Sequence, residues 1–137
     1  MSDPFLDLGN DVLMKQSFSR LLGTSLDALS PGKVTLRLPL GANLLQQNGF
    51  AHGGVISYCA DNALTFAGGT ALGQPVLTSE FKINYVRPAQ GDTLIARAEA
   101  TFVGKTQSVC RCDVFVVKDG VEKLCAIAQG TIVATTR

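Results

Sequence analysis

Residues 46–63 read QQNGFAHGGVISYCADNA, and the rest of the chain is best read outward from them. A polar, glycine-containing turn (Gln46, Gln47, Asn48, Gly49) leads to the only histidine, His52. Two glycines follow, Gly53 and Gly54, and then an apolar run that carries one acid, Asp61. The run extends to residue 71 as GGVISYCADNALTFAGGTA. Its alanines and its length predict a helix over 53–71. It is apolar on nearly every side, so the helix should be buried. Gly68, Gly69 and Gly73 are read as its frayed end.

Sequence on either side supplies strands. KVTLRLPL (33–40) alternates, with Val34, Leu36, Leu38 and Leu40 on one face and Thr35, Arg37 and Pro39 on the other. Ser30-Pro31-Gly32 provides the turn that lets residues 21–30 pair with it. Residues 4–20 show loose helical spacing through Leu8, Val12, Leu13 and Phe18. Four strand-like segments follow the central helix: 76–87, 92–103, 107–118 and 122–135. Asp119-Gly120 between the last two is a strong hairpin signal. The order helix, two strands, long helix, four strands fits an α+β fold, a long antiparallel sheet wrapped around one apolar helix. No linker or repeat interrupts it, so residues 1–137 are expected to form a single domain.

Composition narrows the function. Of 137 residues, 46% are hydrophobic and 17% charged, an ordinary globular balance that leaves room for a buried interface between subunits. The net charge of +1 gives no electrostatic case for nucleic acid. No apolar run has transmembrane length, and the N-terminus MSDPFLDLGND is acidic, unlike a signal peptide. A cytoplasmic protein without a membrane partner is expected. The four cysteines (Cys59, Cys110, Cys112, Cys125) lack zinc-site spacing and are read as reduced, buried thiols. No metal site is expected.

The chemistry sits in the opening stretch. Backbone N–H groups in the first helical turn form a site for negative charge. Two turns further along, Asp61 stands among Ile56, Tyr58, Cys59, Ala60, Ala63 and Leu64, where a carboxylate is costly without a purpose. An anion site and a carboxylate on one element suggest acyl-group chemistry. The Gly53 N–H can polarise a thioester carbonyl, and Asp61 can attack the carbon or activate a water. The bland alternatives are a tight loop-to-helix junction and an interface acid. His52 is read as orienting the turn in preference to acting as a general base, since no GxSxG elbow accompanies it. Gln46 and Asn48 can hold a carbonyl oxygen or position water, or simply make the turn. Arg87, Lys82, Lys105 and Arg111 are candidate contacts for a charged ligand tail, though each could equally be a solvated charge. From Gly53 to Asp61 is eight residues, about 12 Å along a helix. One thioester cannot touch both, so a shared site requires two subunits, with Gly53 from one and Asp61 from the other.

Several of these residues together resemble a known family. Gly49-Phe50-Ala51-His52-Gly53-Gly54, Asp61-Asn62-Ala63, Thr78-Ser79-Glu80-Phe81-Lys82-Ile83-Asn84-Tyr85, Arg87-Pro88-Ala89 and Gly104-Lys105-Thr106 are similar to hotdog-fold acyl-CoA thioesterases. The branch resembled is the phenylacetic acid degradation type, within the 4-hydroxybenzoyl-CoA thioesterase superfamily. The resemblance implies a hotdog fold, homodimers joined at their sheet edges and often tetramers, dimers of dimers. It implies hydrolysis of acyl-CoA to acid and CoA with no cofactor, coenzyme A being part of the substrate. It makes Asp61 the catalytic carboxylate, Gly53 the oxyanion donor, and Thr78 a hydroxyl that helps place water. Gly54, Asn48, Tyr85, Arg87, Pro88, Gly104, Lys105 and Thr106 become substrate or CoA contacts. The family's usual Asn is replaced by Gln46, so its role falls to Gln46 or Asn48. The alternatives are a hydratase or dehydratase of acyl thioesters and a non-catalytic acyl-CoA binder on the same fold. Tyr58, Leu64 and Phe66 would suit an aromatic or medium-chain acyl group but serve equally as core.

Overall fold

The computed structural model describes residues 2–135. Two short helices open the chain, α1 (Pro4–Met14) and α2 (Ser17–Leu22). A hairpin follows, β1 (Ser25–Ser30) and β2 (Lys33–Pro39). The long helix α3 (Gly53–Leu72) precedes β3 (Val76–Tyr85), β4 (Thr93–Val103), β5 (Gln107–Lys118) and β6 (Val121–Ala134). The six strands form one antiparallel sheet in the order β1-β2-β4-β5-β6-β3. Among the described residues no helix is long and apolar enough to cross a membrane.

The sheet curls around α3, and the reason is in the side chains. Val34, Leu36 and Leu38 of β2, Leu94, Ala96 and Ala98 of β4, and Cys110, Cys112, Val114 and Val116 of β5 alternate inward and pack on it. The helix answers with Cys59, Ala60, Ala63, Leu64 and Ala67, all fully buried. Small residues let the strands approach closely. A Cβ on Gly68 would stand 2.6 Å from the Ile132 Cβ of β6. Gly68 and Gly69 therefore lie inside α3 rather than at a frayed end, and Gly73 alone, with φ +67°, closes it as a left-handed cap. Between β5 and β6, Asp119 and Gly120 both have positive φ, as a type I′ hairpin turn requires.

The N-terminal expectation needs correction. Residues 4–20 form two helices broken at Lys15 and Gln16, and only Gly9, Leu13 and Ser19 on them are buried. Leu8, Val12 and Phe18 are exposed. The cause is the way α1 lies on the sheet, with Gly9 pressed on Leu29 of β1 so closely that a Cβ there would collide at 2.4 Å. At the break, Gln16 turns its side chain inward to Asn62 of α3 and to Ser19.

One irregularity matters for the site. On a regular β3, Val76 and Thr78 would face opposite to Phe81 and Ile83. A bulge between Thr78 and Glu80 shifts the register against β6. It turns all four side chains toward the interior, where Val76, Phe81 and Ile83 join the core and Thr78 reaches α3.

Candidate active site

Asp61 sits half-buried in the middle of α3. Its Oδ1 accepts a hydrogen bond from Thr78 Oγ1 at 2.6 Å. Thr65, one turn further along the helix, completes the cluster. Its single hydroxyl proton is contested by the Asp61 carbonyl oxygen at 2.8 Å and by Thr78 Oγ1 at 3.1 Å. The bulged strand thus presents a hydroxyl to the carboxylate. Thr65 was not among the residues singled out from sequence, although its place four residues after Asp61 puts it on the same helix face.

The start of α3 is built differently. His52 is the helix N-cap, with extended backbone (φ −62°, ψ 136°), and its Nδ1 accepts from Gly54 N–H at 2.8 Å. The Gly53 N–H, at the first helical position, has no partner along the helix axis. The Tyr85 hydroxyl, from the end of β3, donates to the Gly53 carbonyl oxygen at 3.1 Å and lays its ring beside Gly53. The preceding loop is closed on itself. Gln46 N–H donates to Phe50 O at 2.8 Å and Gly49 N–H to Gln46 O at 3.0 Å. The Gln46 side-chain oxygen accepts from Asn48 N–H, so that amide shapes the turn. Asn48 itself is exposed at the turn's tip.

The ligand-contact candidates divide into two groups. Ala51 N–H donates to Ala89 O at 2.8 Å, which ties the loop carrying Arg87 and Pro88 to the start of α3. Arg87 donates to the carbonyl oxygen of Leu124 at 2.8 Å, so its guanidinium is fixed against β6. Gly104, Lys105 and Thr106 form the β4–β5 turn near the other end of α3, where Gln74 Nε2 donates to Lys105 O at 3.2 Å. A helix of this length spans about 30 Å, so one chain does not bring the two groups together. Lys82 is exposed on β3, and Arg111 lies on the outer face of the sheet beside Lys33 and Arg97.

The remaining candidates are structural. The Tyr58 hydroxyl is within hydrogen-bond distance of Ser19 Oγ (2.6 Å) and Thr24 Oγ1 (2.8 Å), and it accepts from Asn62 Nδ2 at 3.1 Å. Leu64 is fully buried core. The four cysteines are free and buried, and burial pushes their thiols up, Cys125 to about 11 and Cys59 and Cys112 further. Such thiols are poor nucleophiles at neutral pH.

Known proteins with this fold are numerous. The family model described as Thioesterase superfamily matches residues 48–123. A crystal structure of a thioesterase family protein from Silicibacter pomeroyi is 35% identical, with a TM-score of 0.85 over 90% of this chain and 92% of that one. A mutant of the phenylacetic acid degradation protein PaaI from Thermus thermophilus is 28% identical, with a TM-score of 0.77 over 87% of this chain and 99% of its own. The 1,4-dihydroxy-2-naphthoyl-CoA hydrolase of Listeria monocytogenes is 26% identical over 81% of this chain and 89% of its own length.

Proposed function

This chain belongs to the thioesterase superfamily, with the hotdog fold of that family and thioester hydrolysis as its general chemistry, and from that premise we propose that it hydrolyses acyl-CoA, with an aryl or medium-chain acyl group, to the free acid and CoA. The observation that carries the proposal is the Asp61 carboxylate, half-buried on α3 and held by a 2.6 Å hydrogen bond from Thr78. The relative named 1,4-dihydroxy-2-naphthoyl-CoA hydrolase supports a CoA thioester as the substrate.

In the proposed reaction Asp61 attacks the thioester carbon, or takes a proton from a water that does. Negative charge moves to the carbonyl oxygen, where the N–H of Gly53 of the partner subunit receives it. The C–S bond then breaks, and the CoA sulfur leaves as thiolate and is protonated by solvent. With Asp61 as nucleophile, water cleaves the resulting anhydride. The two-subunit arrangement rests on the helix geometry, because eight residues of α3 separate Gly53 from Asp61. It is also supported by the sheet. The ten-residue strand β3, which carries Thr78, stands at the sheet edge with one side unpaired in the chain, and a second copy can cover it. The two groups of CoA-contact candidates at opposite ends of α3 would then serve one CoA from different subunits.

The test is free-thiol release from a panel of aryl- and alkyl-CoA esters, beside an Asp61→Asn variant. Release that collapses in the folded variant supports the reading. Conversion of an enoyl-CoA without thiol release would replace it with a hydratase, and ligand-induced stabilisation without turnover would replace it with a binder.

A further inference from the structure

A groove of about 420 Å³ runs between α1, the second half of α3 and the start of β3. Its size falls in the range of small-molecule sites. None of its lining residues is charged. On the α1 side it is walled by Phe5, Leu8 and Val12, which are 37%, 59% and 44% exposed. On the opposite side lie Phe66 and Gly69 of α3 and Val76 of β3.

The groove adjoins the active site through Thr65. Asp61, Thr65 and Gly69 follow at four-residue intervals, so they share one face of α3. Thr65 and Gly69 line the groove. Thr65 Oγ1 is 3.1 Å from Thr78 Oγ1, which donates to Asp61. The inner end of an uncharged trough therefore lies within two hydrogen bonds of the carboxylate.

The wall is also held in place. Gln16 Oε1 accepts from Asn62 Nδ2 at 3.1 Å and from Ser19 Oγ at 2.6 Å, and Tyr58 joins the same cluster. Tyr58 and Asn62 flank Asp61 in sequence, so the helix that carries the carboxylate also anchors the end of α1.

We infer that this groove seats the acyl group, and that α1 is the element that selects it for medium-chain alkyl thioesters such as octanoyl and decanoyl. The inference rests on the thioesterase reading above. The long open side along α1 suits an extended chain laid against Leu8 and Val12. A compact aryl group would leave these side chains uncovered. Each methylene seated there should raise kcat/KM about three- to fourfold until the groove is full.

Two measurements test this. The first compares acetyl-, octanoyl-, decanoyl- and phenylacetyl-CoA hydrolysis by the native protein and by Val12→Trp, which plugs the trough from its exposed wall. The expected result is a preference for decanoyl over phenylacetyl, and a decanoyl-to-acetyl ratio at least about tenfold lower in the variant. A ratio that does not change, or a preference for phenylacetyl that the plug leaves intact, overturns the inference. The second is independent of turnover. The chain has no tryptophan, so Leu8→Trp gives one fluorophore on the wall, to be titrated with the non-hydrolysable thioether S-decyl-CoA. A saturable blue shift supports the groove even if no ester is hydrolysed, in which case the hydrolytic reading alone fails. Absence of any shift at saturating thioether overturns the groove even if hydrolysis proceeds.

Discussion

Replacing Thr78 by valine removes one hydroxyl and keeps the branched shape of the side chain. In the structure that hydroxyl donates to Asp61 Oδ1 at 2.6 Å and lies 3.1 Å from Thr65 Oγ1. A hydrogen bond to a charged group contributes about 1.5–3 kcal/mol. The same bond fixes the direction in which the carboxylate points, and loss of that positioning should lower kcat roughly tenfold to a hundredfold. Thr78 lies at the carboxylate and none of the CoA-contact candidates touches it, so KM should change by less than about threefold. Thr78→Ser keeps the donor and should keep kcat within about threefold of the native value. The assay is steady-state release of CoA thiol, with kcat and KM fitted separately for the three proteins. Native kcat in Thr78→Val would refute the argument, as would equal loss in the serine and valine variants, since the hydroxyl would then not be what matters.

Other outcomes follow from the same coordinates. Gly68→Ala drives a Cβ to 2.6 Å from Ile132 Cβ, and overpacking of about 1–3 kcal/mol should lower Tm by roughly 4–12 °C; an unchanged Tm by calorimetry would show that α3 and β6 can separate freely. His52→Ala removes the acceptor for Gly54 N–H and should cost about 1 kcal/mol of stability, while His52→Asn restores most of it; a total loss of turnover in the asparagine variant would instead make the imidazole catalytic. The buried thiols should be silent to a disulfide reagent at pH 8 and all four should react in denaturant; fast reaction in the native state would contradict their burial. The folded thiols hold their protons above the ordinary value of 9.0, so the folded state binds more protons than the unfolded one in that range and stability must fall as pH rises from 9.0 toward and past 11, the figure for Cys125. A Tm flat from pH 9 to 11 would contradict those shifts.

Much of the fold was legible because the signals were local. The alternation in Val34–Leu38, the Asp119-Gly120 turn and the alanine-rich run after Gly53 each report on a few neighbouring residues, and each appears where its pattern placed it. What was not legible depends on partners distant in the chain. Gly68 reads as part of a frayed helix end until Ile132 is seen against it. The loose helical spacing through Leu8, Val12, Leu13 and Phe18 does not say which of them is buried; the packing of Gly9 on Leu29 leaves Leu13 inside and the other three exposed. The bulge at Ser79 leaves no local signature, yet it decides that Thr78 points at Asp61. At the site, His52, Gly53 and Asp61 could be singled out by residue type and spacing. Thr65 could have been found from its place four residues after Asp61 on the same helix face; the cluster joining Gln16, Ser19, Tyr58 and Asn62 could not, because it is made by contacts between elements.

The central claim is a site shared between two subunits, and subunit complementation tests it most directly. Asp61→Asn removes the carboxylate. Gly53→Pro removes the N–H donor with little harm to the fold. Proline is well tolerated at the first helical position, His52 already has the extended backbone that a following proline needs, and the atoms nearest a Cβ at Gly53 belong to the Tyr85 side chain, at ordinary distances of 3.6–3.7 Å. Each variant alone should lose about a hundredfold or more in kcat. In a purified heterodimer of the two, one shared site combines both defects and the other combines the intact Asp61 with the intact Gly53. The account predicts about half the native specific activity for that heterodimer, one working site of two. A heterodimer as inactive as its parents would mean that each site draws both groups from one chain, and would contradict the account.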